Sequence, residues 1–222
     1  MKTGIENIVN KSDLSKQVED ITNCEIERFD KEEAKSTFDT SDISACIRRL
    51  IYTAKKKGKD PQAIDKFHNK FTIEKWSNLL GYYVRGKNIG LADCNYNLIG
   101  NGDILIEVDF SKILLKVQSV CNKDFDHVLT KGAFKKHVLE LMTNEWLAEV
   151  NEGLLIYENR DNYKFEIFQV HLFPHILEPI KRKAQELTEY KMKGELPNRP
   201  YQRKDAKECN CCSYQLECWA EK

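Results

Sequence analysis

Four of the eight cysteines in this 222-residue chain, Cys209, Cys211, Cys212 and Cys218, crowd into one short stretch near the C-terminus. So many thiols so close together are hard to bury as small core residues, and the spacing limits what the tail can fold around. Met1 to Asp20 mixes Lys, Glu and Asp with scattered Ile, Val and Leu, without the apolar stretch of a leader. The expected setting is the reducing cytoplasm, where dense cysteines ligate metal more often than they form disulfides.

The tail reads Cys209-x-x-Cys212-x5-Cys218, three thiolates on a short loop that leave a fourth ligand to come from elsewhere. Cys46, in Ser44-Ala-Cys-Ile-Arg-Arg49, is the candidate, and a ligand set split between the two ends would close the chain on itself. Four thiolates suit a soft metal centre, either a tetrahedral zinc or an iron-sulfur cluster, and spacing does not separate the two. The alternative is a local zinc knuckle of Cys209, Cys211, Cys212 and Cys218, with Cys46 a core residue. Cys24, Cys94 and Cys121 are expected as small buried hydrophobes.

Lys plus Arg and Asp plus Glu both number 35, which excludes a polycation that binds nucleic acid through net charge alone. The longest apolar runs fall well short of the roughly 20 residues of a membrane span. Residues 1–38 read as a polar arm or helix and 39–90 as a helical region. Its first helix runs through Ile43, Cys46, Ile47, Leu50 and Ile51 with caps among Asp39 to Asp42, and a second covers 62–83. From about residue 91 the period falls to two. Strands are expected at Tyr96–Ile99, Asp103–Val108 and Ile113–Val120, with turns at Gly100–Gly102 and Asp109–Lys112. A helix over 128–150 then crosses to strands at Leu154–Glu158 and Tyr163–Val170, closing a sheet region of 91–172. The remainder, 173–222, is a charged helix to about Met192 and the cysteine tail.

Three further elements accompany the cysteines: Ser41-Asp-Ile-Ser-Ala-Cys46-Ile-Arg48 at a helix start, Gly100-Asn-Gly-Asp103 ahead of a strand, and Leu114-Leu-Lys-Val-Gln-Ser119 in the next strand. Together they resemble the RecB-like branch of the PD-(D/E)XK nucleases, in particular the iron-sulfur exonucleases of CRISPR adaptation and their phage-encoded relatives, over most of residues 39–219. The resemblance implies an α/β fold with a central mixed sheet flanked by helices, and a 4Fe-4S cluster on Cys46, Cys209, Cys212 and Cys218, with zinc the alternative. It also implies a metal-holding Asp at Asp103 and a Glu-x-Lys pair on the second strand. That pair falls on Lys116 and Gln118, so both positions depart from the family pattern. A cation would stand where the metal belongs, and an amide where a charge belongs.

Asp103 is then vestigial, and Mg²⁺ is not an expected cofactor. Carboxylates that could migrate into the site are Glu107, Asp109 and Glu140, the last on the helix where relatives carry a Gln. His68 matches a motif position only weakly, and His171 with His175 reads as surface. The expected function is a catalytically lost nuclease-fold protein that binds DNA or docks on a protein. Its phosphate contacts would come from Arg48, Arg49, Lys55, Lys56 and Lys57, joined by Lys181, Arg182, Lys183, Arg199, Arg203 and Lys204. The alternatives are an exonuclease with migrated ligands and a purely structural subunit.

Overall fold

The computed structural model describes residues 38–55, 63–210 and 212–220. The expected N-terminal arm, Cys24, Lys56, Lys57 and Cys211 lie outside the described residues. In chain order the elements are β1 Phe38–Asp39, a 3-10 turn Thr40–Asp42, α1 Ile47–Lys55, α2 Ala63–Leu80 and β2 Val84–Asp93. They continue with β3 Leu98–Val108, β4 Ser111–Val120, α3 Asn122–Lys131, α4 Lys135–Leu147, β5 Glu152–Asn159 and β6 Phe165–His171. The helices α5 Pro174–Lys193, α6 Lys207–Asn210 and α7 Gln215–Ala220 complete them. Among the described residues no helix is long and apolar enough to cross a membrane.

The strands form one mixed sheet. β2, β3 and β4 are an antiparallel meander, β4 pairs parallel with β5, and β6 returns antiparallel to β5. The parallel pair is joined through α3 and α4, the crossover the sequence predicts. β4 and β5 are central strands covered on both faces, which is why they read as near-continuous apolar runs rather than alternating ones. Leu114 and Val120 of β4 pack with Phe125, Val128 and Leu141 of α3 and α4 on one face. Leu115 and Val117 pack with Ile73 and Trp76 of α2 on the other. A third cluster, Phe38, Leu50, Leu98, Ala184 and Leu187, fixes α1 and α5 at the β1 end. Each such fully buried aliphatic side chain contributes roughly 1.5–3 kcal/mol.

Several boundaries differ from the sequence reading. The first long strand of the sheet begins at Val84 rather than 91, a two-residue strand at Phe38–Asp39 joins the sheet beside β3, and α1 begins at Ile47, after the 3-10 turn at Thr40–Asp42, rather than at Ile43. No turn forms at Gly100–Gly102. β3 runs straight through, and glycine stands at 100 because a Cβ there would collide with Asn144 of α4 and with Thr40. The expected helix over 128–150 is two helices, divided at Gly132, whose φ of 84° suits glycine alone.

Candidate functional site

The β3–β4 ladder runs from Val108↔Ser111 to Ile104↔Leu115 and stops there. Beyond that point β3 pairs with β1 instead, at Leu98 and Ile99. The first residues past the split are Asp103 and Lys116, on the sheet face that α4 covers. Asp103 is buried, and its Oδ2 accepts the Val117 N–H at 2.7 Å, supplying a partner that the parted strand does not. It is therefore a mid-strand carboxylate.

Lys116 is also buried, only 7% exposed. Its Nζ lies 2.6 Å from Glu140 Oε1 on α4. Burial alone would depress the lysine pKa, but the charges of Asp103 and Glu140, with a smaller effect of Asp39, raise it above its ordinary value. The ammonium is thus held ionised inside the protein. Burial raises the Asp103 and Glu140 carboxyls above their ordinary range, and the opposing charge of Lys116 offsets only part of that. One turn before Glu140, His137 Nδ1 sits 2.9 Å from the Tyr157 hydroxyl, which itself accepts the Phe134 N–H at 3.0 Å. Burial, then the charges of Lys136 and Lys116, lower the imidazole to about 3, so it is neutral at physiological pH.

The other migrating carboxylates do not reach this point. Glu107 is engaged by Arg85 at 3.3 Å, and Asp109 lies in the β3–β4 turn with a φ of 48°. At about 3.4 Å per residue these lie roughly 13 and 20 Å along the chain from Asp103. Gln118 shares the face of Lys116 by strand alternation. Among the described residues no three His, Cys, Asp or Glu side chains approach closely enough to hold a single metal ion.

A second feature lies beside Lys136, at the start of α4. Cys46 directly precedes α1, and its carbonyl accepts the Leu50 N–H at 3.1 Å. Cys46, Cys209, Cys212 and Cys218 line one cavity of about 350 Å³, so the fold brings both ends of the cysteine pattern together. Tyr52 of α1 stacks on Tyr214 of the tail at 5.6 Å, and Arg199 Nε donates to the Cys218 carbonyl at 3.0 Å while lying over Trp219. Lys183 of α5 donates to the carbonyls of Ile43 and Ala45, holding the loop that presents Cys46. Four soft donors around a space larger than one ion fit a cluster. Cys94 is exposed and Cys121 half-buried, so neither is the core residue expected.

The basic residues divide. Arg48 is 8% exposed and donates to the Pro197 carbonyl at 2.7 Å, so it faces the interior and cannot meet a phosphate. Lys183 likewise points inward, Arg203 pairs with Asp205, and Lys181 lies over the Trp146 ring. Arg49 and Lys136 are exposed and line the mouth of the cysteine cavity, while Arg182 and Lys204 are exposed on α5 and the tail. Lys55 ends α1. His68 lies on α2, and His171 and His175 flank the exposed Phe173 on the surface.

Sequence reasoning missed Lys136 and Asp39. It also missed that Lys116 is a buried ion, although a lysine inside Leu114-Leu-Lys-Val117 already demands an internal anion.

No family model matches the chain, and no curated protein matches it. Solved structures do. The protein SSO0001 superposes with a TM-score of 0.58 at 17% identity, covering 94% of this chain and 97% of its own. The alkaline exonuclease LHK-Exo from Laribacter hongkongensis gives 0.55 at 9% identity, over 72% of this chain and 89% of its own. A phage-related exonuclease from Haemophilus somnus 129PT gives 0.50 at 9%, over 71% and 94%. The chain has a nuclease-like α/β fold, the mixed sheet flanked by helices that it shares with these exonucleases.

Proposed function

We propose that the chain is a DNA-binding protein on a nuclease-like scaffold whose hydrolytic centre is replaced by an internal ion pair. The supporting observation is the Lys116 ammonium, 2.6 Å from Glu140 and under the charge of Asp103, at the point where β3 and β4 part. A metal-dependent nuclease needs hard oxygen donors there to hold a divalent cation that acidifies the attacking water. Here the compensating charge belongs to the chain. An ammonium has three N–H donors and no open coordination position, so it neutralises carboxylates without acting as a Lewis acid. Gln118 adds no charge to stabilise an attacking or leaving oxygen.

DNA phosphates would be met by Arg49 and Lys136 at the cavity mouth, with Arg182 and Lys204 beyond them. Cys46, Cys209, Cys212 and Cys218 would hold a 4Fe-4S cluster, which supplies a covalent tie between the head of α1 and the tail. The chain's own residues prepare that tie through the Tyr52–Tyr214 stack and the Arg199 bond to Cys218.

Fluorescence anisotropy with labelled single-stranded and duplex DNA tests the reading. Binding that is equal in EDTA and in Mg²⁺, and that weakens with salt, is expected. Absence of binding at low salt would overturn it and leave docking on a protein as the better account.

A further inference from the structure

Arg48 and Arg49 are adjacent, yet only one of them faces solvent. Arg48 is buried against the cysteine cavity, whose wall it shares with Cys218, and its guanidinium donates to the Pro197 carbonyl at 2.7 Å and the Tyr52 hydroxyl at 3.4 Å. Pro197 begins the approach to the tail and Tyr52 stacks on Tyr214 within it, so both contacts hold the guanidinium in the cavity wall beside Cys218. A cation enclosed in this way, in a cavity lined by thiols, has no role in a purely apolar core.

We propose that Arg48 is a positioning residue for the metal cluster, donating to the Cys218 sulfur and setting the charge that the cluster feels. The inference rests on the cluster reading above. A cluster bound by four thiolates carries net negative charge, which grows when one electron is added from a donor such as dithionite or a mediated electrode, with no bond broken and no proton moved. A fixed cation and an N–H···S bond beside one ligand stabilise the more negative state, and so raise the reduction potential. A cation fixed in the cavity wall also orients that ligand, and removing such an outer-shell partner costs metal affinity.

The test is potentiometry and iron release on the full chain, reconstituted anaerobically. Arg48→Gln should retain iron at loading, show a more negative midpoint potential than wild type, and lose iron to a chelator several-fold faster. Arg48→Lys keeps the charge without the planar fork and should fall between the two. Arg49→Gln, whose side chain is exposed at the cavity mouth, should shift the potential less than Arg48→Gln. Should Arg48→Gln fail to fold or load, Tyr52→Phe removes one of the orienting bonds and should shift the potential the same way by less. Loaded Arg48→Gln, or Tyr52→Phe in its place, with the wild-type potential would overturn the proposal while leaving the cluster intact. Wild-type protein that takes up no iron would instead overturn the cluster reading itself.

Discussion

Lys116 Nζ on β4 and Glu140 Oε1 on α4 lie 2.6 Å apart beside the point where β3 and β4 separate, and both side chains are largely shielded from water. A buried pair of this kind is weak evidence for net stability, because desolvation opposes the attraction, but breaking it from one side is costly. Lys116→Met should therefore destabilise the fold by about 3–5 kcal/mol, since Asp103 and Glu140 are left without their cation. Urea unfolding measures it. Adding Glu140→Gln to Lys116→Met should recover part of the loss, and strict additivity of the two substitutions would show that they do not interact.

Glu145 supplies a pH dependence. It is fully buried on α4, neither carboxyl oxygen has a hydrogen-bond partner among the described residues, and burial followed by the charge of Glu152 raises its pKa to about 8. A raised carboxyl pKa means that the folded state binds the proton more tightly than the unfolded one. Stability should thus fall as pH rises from the ordinary glutamate range towards 8. Melting temperatures between pH 5 and 8 should decline for wild type and decline less for Glu145→Gln. Identical slopes would remove Glu145 as the cause.

Salt dependence tests the DNA surface. Replacing Arg49 or Lys136 with Gln should reduce the slope of log affinity against log salt by about 0.9 for each phosphate of duplex DNA that the protein no longer neutralises. Anisotropy titrations from low to moderate salt report that slope. Arg48→Gln should leave it unchanged, because Arg48 faces the interior.

Loss of the cluster should loosen the tail. Cys212→Ala should abolish iron binding and lower the melting temperature, because the tie between α1 and the tail is removed. Stoichiometric zinc without iron in anaerobically purified wild type would reject the iron-sulfur assignment.

Much of this is legible in the sequence. The fall of the apolar period to two, and the crossover helix between apolar strands, point to the mixed sheet. The split cysteine pattern anticipates that Cys46 and the tail line one cavity. Gly100 and Gly102 mislead because glycine signals both turns and close backbone approach, and only the packing of Asn144 and Leu114 against them distinguishes the two. Arg48 misleads for a related reason. It reads as one of a pair of surface cations with Arg49, but its direction is set by Pro197 and Tyr52, and no local pattern encodes a partner 149 residues away. Asp39 reaches the site through the pairing of β1 with β3, a long-range register that periodicity does not carry.

The proposed replacement of a catalytic metal by a lysine is tested most directly by a cleavage assay. Anaerobically purified protein incubated with single-stranded and duplex DNA in Mg²⁺ or Mn²⁺ should release no nucleotides above background. Metal-dependent cleavage that disappears in Asp103→Ala would contradict that replacement.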